Sequence, residues 1–341
     1  MQTNRRFIKL TAFFLLFFLT GCSRSPSIIA PASTSAKAIT DLMWGFSGVA
    51  GLGFVVVEAI LLYTIFRFKH KDDAQLTKAT LPKQVEGNRL LEIIWTIIPA
   101  VLLLIIFIYT VSTLWAIKVR PSQIPPDTQV VNINVIGHQW WWEFRYPDLG
   151  ITTAQELHVP VDSLVFITVD SADVIHSFWV PQMGGKIDVI PGHLNQTWFQ
   201  PTHIGRYVGE CSEYCGTEHA HMRLDLVVES PDDYATWVRQ QQAPIPSFTG
   251  EAAEGEKVFM NGMCSTCHTI NGTDAEGILG PNLTHLGSRQ DIGGAVLTNT
   301  PENLSKWLEN PDSVKPGVKM PKPDLSDEER SLLVAFLDSL K

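Results

Sequence analysis

Two long apolar runs, at 42–66 and 93–115, limit this chain more than any other feature. About 20 apolar residues cross the hydrocarbon of a bilayer, and a helix there satisfies its own backbone. The second run has no ionisable residue and contains Pro99, which kinks or loosens a helix. The first contains only Glu58, and two readings stand for it: a proton path, or a neutral hydrogen-bonded acid facing a partner helix. Trp44, Tyr63, Trp95, Tyr109 and Trp115 lie near the run ends, where interfacial aromatics collect. Between the runs stand Arg67, Lys69, Lys71, Lys78, Lys83 and Arg89 against Asp72, Asp73 and Glu86. That surplus places the loop in the cytoplasm and everything after Trp115 outside. The expectation is a two-helix transmembrane hairpin over 22–120.

Residues 1–21 read as a lipoprotein-type signal peptide. Arg5, Arg6 and Lys9 precede TAFFLLFFL (11–19), an apolar core too short to span comfortably. The following LTGC (19–22) resembles a bacterial lipobox, which implies cleavage before Cys22 and a lipid on its sulfur; the other reading is a short uncleaved anchor. A lipid would supplement the spans. Both signals put the mature N-terminus on the outer side of a bacterial plasma membrane. A hydrophobic content of 45% with 18% charged residues suits a membrane component. The net charge of -9 argues against a nucleic-acid partner, which needs a basic face.

From 128 to 230 the pattern changes. VVNINVI (130–136), LVFITVD (164–170) and RLDLVVE (223–229) are short alternating or apolar runs separated by Pro, Gly and Asn. They predict an antiparallel barrel or sandwich of ~100 residues. Within it CSEYCGTEHAHM (211–222) gathers Cys211, Cys215, His219 and Met222, with His176 upstream in DVIHSFWVP (173–181). Thiolates and thioethers suit reduced copper, and imidazole suits both redox states. A structural zinc site usually shows C-x2-C or C-x4-C pairs and closes with four ligands, and methionine is a poor zinc ligand and a good copper one. Five side chains are too many for one tetrahedral ion. Two ions bridged by two thiolates would use them all, and a shared electron would then disturb little geometry. That describes an electron relay rather than a hydrolytic site. A Cys211–Cys215 disulfide would leave His176 and Met222 unexplained.

Together with EIIWTIIPA (92–100), GHQWWWEF (137–144) and GKIDVIPG (185–192), these segments resemble subunit II of the haem-copper cytochrome c oxidases over roughly 42–229. The resemblance implies an all-β cupredoxin domain of Greek-key type carrying a binuclear copper A centre. By matching position the ligands are His176, Cys211, Cys215, His219, Met222 and the backbone carbonyl of Glu213. The Glu213 side chain would reach magnesium at the subunit I interface. Trp140 matches the tryptophan through which electrons enter, and Glu92 the acid at the mouth of a proton channel; the plainer reading of Glu92 is a solvated acid at a helix start. His221 matches no ligand. Quinol oxidases share the fold without these copper ligands, so the intact set argues against quinol as direct donor.

Residues 231–248 read as a linker, with QQQAPIPSF (240–248) polar and proline-containing. Beyond it Cys264-Ser-Thr-Cys267-His268 is the c-type haem attachment motif. Both thiols add to one haem's vinyl groups, and the next imidazole falls on the iron. A thioredoxin-like site would need a βαβ pattern, and GEKVFMNG (255–262), PENLSKWLENP (301–311) and SDEERSLLVAFLDSL (326–340) read as helices instead. The stretch 249–341 resembles an all-α class I cytochrome c. That implies Met320 as sixth ligand and Pro281 as the residue whose carbonyl orients His268. From Glu251 to Lys341 there are fourteen acids and eight Lys or Arg, a balance that would let a basic cytochrome c dock.

The whole resembles the subunit II of a terminal oxidase with its own cytochrome c fused behind it. The resemblance implies cytochrome-c oxidase activity, reducing O2 to water with ferrocytochrome c. It also implies coupled proton translocation in a complex with subunits I and III. The donor would be cytochrome c or a membrane cytochrome complex, and a flexible tether would hold the fused domain near copper at an effective concentration of order mM. Two rivals remain: the copper A subunit of a nitric oxide reductase, and a non-enzymatic copper or electron-transfer module. The paired spans favour a chain that packs on a large partner.

Overall fold

The computed structural model describes residues 26–69, 86–118 and 128–341. The signal peptide, Cys22, and Lys71, Asp72, Asp73, Lys78 and Lys83 lie outside the described residues. The chain divides into a helical unit, Thr34–Pro126, and a larger unit holding the remainder.

In the helical unit α1 (Thr34–Phe68) and α2 (Arg89–Ala116) are each long and apolar enough to cross a membrane. Helix α1 begins well ahead of the apolar run, at Thr34 rather than residue 42. Polar residues extend a helix freely outside hydrocarbon, so hydropathy marks only the part that must be buried. Asn88 caps α2, its side chain accepting from the amides of Leu90 and Leu91. Glu92 lies in the first turn, where a helix dipole favours an acid. Thr64, Thr96 and Thr110 return their hydroxyls to carbonyls four residues back, which hides them from lipid.

The larger unit contains two five-stranded sheets. One has the order β3 (Ile151–Ala154), β2 (Trp141–Tyr146), β1 (Val130–His138), β5 (Leu164–Ser171), β8 (Asn195–Phe199). The other runs β4 (Glu156–Pro160), β10 (Arg223–Glu229), β9 (Gly205–Cys211), β6 (His176–Trp179), β7 (Ile187–Val189). The purely antiparallel expectation is corrected at two places: β1 pairs β5 in parallel, and β10 pairs β4 in parallel. Alternation reports only which residues face inward, and both directions share it. Val135, Trp142, Phe144, Leu157, Val165 and Leu224 fill the space between the sheets with no more than traces of exposed surface.

The stretch read as a linker opens with a helix, α3 (Pro231–Gln242), capped by Ser230. Tyr234 and Trp237 belong to the β core. At ~25 cal/mol per Å2, the roughly 200 Å2 of a buried indole is worth about 5 kcal/mol before entropy, enough to fix α3 to the β domain. The Trp237 ring stacks on His158 at 4.5 Å. His158 in turn lies between Glu229, 3.1 Å away, and Glu156, 3.6 Å away.

After α3 come α4 (Glu251–Asn261), α5 (Cys264–Cys267), a small hairpin of β11 (Asp291–Ile292) and β12 (Leu297–Thr298), α6 (Pro301–Glu309), α7 (Pro311–Val314) and α8 (Asp327–Ser339). A full capping box of Ser326 and Glu329 starts α8. The first and last long helices meet through Phe259 and Phe336, whose rings are 5.7 Å apart.

His158 generates a test. Burial pulls its pKa down, but hydrogen bonds to Glu156 and Glu229 outweigh this and the net shift is upward. Its stabilising charge is fully present below the unfolded pKa of about 6.5 and is lost as pH rises through the raised folded value. Urea midpoints of the full chain, followed by tryptophan fluorescence, should therefore fall as pH rises from about 6.5 through the raised folded value. His158→Gln should flatten that slope.

Candidate functional site

The copper-type site grows from the end of β9. Cys211 is the last residue of that strand, and its amide bonds the Met222 carbonyl at 3.0 Å, which closes the loop on itself. Cys215 lies part-way round, and a 3-10 turn, His219–His221, brings His219 back. Strand β6 begins at His176 and pairs with β9, so His176 arrives from the neighbouring strand.

The expected ligands converge. The Cys211 and Cys215 sulfurs are 3.7 Å apart, far beyond the ~2.05 Å of a disulfide. His176 Nδ1 is 3.8 Å from Cys211 Sγ, and His219 Nδ1 is 3.6 Å from Cys215 Sγ. Met222 Sδ lies 3.8 Å from Cys215 Sγ, and the Glu213 carbonyl 3.2 Å from Cys211 Sγ. His176, Cys211 and Cys215 form a buried group with metal-binding proximity. Two sulfurs in the middle, one imidazole at either side, a thioether and a carbonyl fit a pair of soft ions sharing thiolates. The Glu213 carboxylate is on an exposed residue, and His221 turns to Glu218 at 2.5 Å.

The outer nitrogen of His176 meets Asp173 Oδ1 at 2.8 Å, which fixes the ring and leaves Nδ1 for metal. Burial pushes the Asp173 carboxyl up, yet the bonds from His176, Val174 N and Gln139 N hold it well below the usual carboxylate range. The hydrogen bond from Cys215 holds the Cys211 thiol well below its ordinary value against burial. The same bond, with burial, pushes Cys215 strongly upward. Soft cations between the two sulfurs would take the place of thiol protons.

The haem-type site is built on α5. One helical turn separates Cys264 from Cys267, so both thiols share a face. His268 Nδ1 donates to the Pro281 carbonyl at 2.8 Å, which leaves Nε2 for iron. Burial lowers the pKa of His268, which keeps it neutral as a ligand must be. Gly280 lies so close to the imidazole that an added Cβ would be 2.5 Å from its Cε1. His268 and Met320 line one cavity of about 800 Å3 with Leu283, Leu304 and Leu337, within the size range of cofactor sites. Met263 is largely exposed.

Residues missed by sequence reasoning complete both sites. Arg289 lines the cavity, and its buried Nε has no hydrogen-bond partner among the described residues. A haem carries carboxylates, and a guanidinium suits them. Asp173, three residues before His176, is the second. Gln139 is the third: its Nε2 and Trp140 Nε1 both donate to the Cys215 carbonyl, at 2.7 and 3.1 Å. Trp140 also lines the haem-sized cavity, so this residue borders both sites.

Comparison with known proteins finds three matching families. They are described as the cytochrome c oxidase subunit II transmembrane domain (29–113), the subunit II periplasmic domain (149–230) and cytochrome c (252–341). The chain is 38% identical, over 100% of its length and 98% of the relative's, to cytochrome c oxidase subunit 2 of Alkalihalophilus pseudofirmus. The chain belongs to the cytochrome c oxidase subunit II family. Cytochrome c oxidase subunit 2 of Bacillus sp. PS3 is 40% identical, over 76% of this chain and 77% of that one. Quinol oxidase subunit 2 of Bacillus subtilis is 28% identical over 70% of this chain and 73% of its own length. Among solved structures, the periplasmic domain of Bradyrhizobium japonicum subunit II is 36% identical. It matches 35% of this chain and 97% of that one, with a TM-score of 0.32. The family assignment and the fused cytochrome c domain agree with the resemblance read from the motifs, as does the succession of apolar helices, β cupredoxin domain and helical cytochrome c domain.

Gly280→Ala should leave a haem attached through Cys264 and Cys267 while displacing His268. Optical spectra of the purified chain should show covalent haem with altered axial ligation.

Proposed function

We propose that this chain is the electron-accepting subunit of a terminal cytochrome c oxidase, receiving electrons at its own cytochrome c domain and passing them inward to subunit I. The observation that carries this reading is the pair of sulfurs 3.7 Å apart with both imidazoles and the thioether within 3.8 Å of them. When bound, a copper pair and a haem c would each take up and release single electrons.

His176, Cys211, Cys215, His219, Met222 and the Glu213 carbonyl would hold the copper, and Asp173 orients the first imidazole. Cys264, Cys267, His268 and Met320 would hold the haem, with Pro281 orienting His268 and Arg289 facing a propionate. Trp140 is proposed as the bridge, since its indole donates to the Cys215 carbonyl and the residue lines the haem-sized cavity. Glu213 would meet magnesium at the subunit I interface, and Glu92 the mouth of a proton channel there. The domain limits read from the sequence are kept, with α3 assigned to the β domain. The outer-face orientation, the lipid on Cys22, subunit III and a cytochrome donor belong to the same proposal, as does coupling to proton translocation.

Full-length protein loaded with copper should bind two copper atoms per chain and give a delocalised seven-line EPR signal beside one covalent low-spin haem. A single ion or zinc in that loop would overturn the reading, and Cys215→Ser should abolish the seven-line pattern. In a separate test, Met320→Ala should keep haem attached but change its sixth ligand. Unchanged spectra would refute Met320.

A further inference from the structure

The β domain and the haem-binding domain meet around one buried cation. Lys315, just after α7, is 2% exposed. Its Nζ donates to the Trp140 carbonyl at 2.8 Å and the His221 carbonyl at 2.9 Å, both in the β domain. It also donates to Gly293 at 3.0 Å, in the β11–β12 turn of its own domain. An ammonium has three donors, and here all three are used. Burial pulls its pKa down to about 8, with Glu218 and Cys215 opposing.

The partner turn is shaped for this approach. Gly294 has φ +84°, and a Cβ there would be 2.5 Å from Lys315 Nζ and 2.7 Å from the His221 carbonyl. Two further contacts flank the lysine. Glu156 Oε1 accepts from the Gln290 amide at 2.8 Å. Lys319, beside Met320, reaches Asp173 Oδ2 at 3.3 Å, the carboxylate that also holds His176. The haem-sized cavity is closed on one side by Trp140 and Trp141 of the β domain.

We propose that Lys315 is a positioning residue that pins the haem-binding domain against the Trp140 turn and the His219–Met222 loop, so that electrons cross between the domains at a fixed separation instead of through repeated docking on a tether. A buried charge has no second home, so the three carbonyls must stay where the ammonium is. The flexible-tether expectation gives way to a held complex, and Trp140, 7% exposed, is closed to an outside donor. The electron-transfer part rests on the function proposed above, whereas the domain contact does not.

The test compares the full chain with Lys315→Met and Lys315→Arg, both centres loaded. Hydrogen exchange of the amides at 139–141 and 290–294 reads the contact directly. Light-triggered haem-to-copper electron transfer, followed at several salt and viscosity values, reads its consequence. The wild type should transfer at a rate indifferent to salt and viscosity. Lys315→Met should lose at least tenfold in protection at both segments and at least tenfold in rate. The remaining rate should become viscosity-dependent while the haem and copper spectra stay unchanged. Arginine should not restore either readout, because a planar fork cannot meet three converging carbonyls.

Unchanged protection in Lys315→Met, or full rescue by arginine, overturns the pin. Lost protection with an unchanged rate overturns its role in electron transfer. If Lys315→Met does not accumulate, Gly294→Ala crowds the ammonium from the other side and must loosen the same two segments; intact protection there overturns the proposal. A wrong copper count would instead defeat the function proposed above and leave the exchange result standing.

Discussion

Two thiols 3.7 Å apart cannot both ionise in a protein interior without a cation between them, and the architecture of the β domain is arranged around that fact. Strand pairing between β6 and β9 brings His176 to one sulfur, and the closed loop from Cys211 to Met222 brings His219 and the thioether to the other. Asp173 fixes the first imidazole from outside. These groups come from two strands and a loop, so the sheet must be complete before the donor set exists. The site therefore depends on global folding, and its rigidity is that of the sandwich core.

The haem-type site follows a more local logic. Cys264, Cys267 and His268 are neighbours in sequence, and a single turn of α5 delivers the thiols. Only orientation needs distant help: Pro281 turns the imidazole, and the pairing of Phe259 with Phe336 closes the helical frame behind it. Met320 and Arg289 come from later loops to line the same cavity.

This difference sets what could be read from the amino acids. Candidate donors repeat at short spacings, apolar runs announce spans, and alternation announces strands, so the two clusters of donor side chains and the order of elements were legible. Strand direction was not, since a parallel and an antiparallel partner bury the same faces. Helix α3 was hidden because its two buried aromatics, Tyr234 and Trp237, stand in a mostly polar stretch, and a polar average resembles a linker. Lys315 counted only as one of eight basic charges, and nothing nearby in the sequence says that its partners are carbonyls 94 and 175 residues upstream. Asp173 was silent although His176 is only three residues on, because an acid beside a histidine does not by itself show which way its carboxylate turns, and Arg289 was silent because nothing in its sequence neighbourhood marks it as lining the cavity.

The anchoring of α3 has a consequence for reach. With Trp237 stacked on His158, the β domain holds the chain as far as Gln242, and Phe248 already packs on Phe336 of the haem domain, so only residues 243–247 lie between the two anchors. Five residues at about 3.5 Å each extend to roughly 18 Å, less than the diameter of a domain this size. A detached haem domain would thus swing on a short leash and fall back on the surface it left. Each oxidase would keep its own cytochrome, with no sharing between neighbouring complexes in the membrane plane.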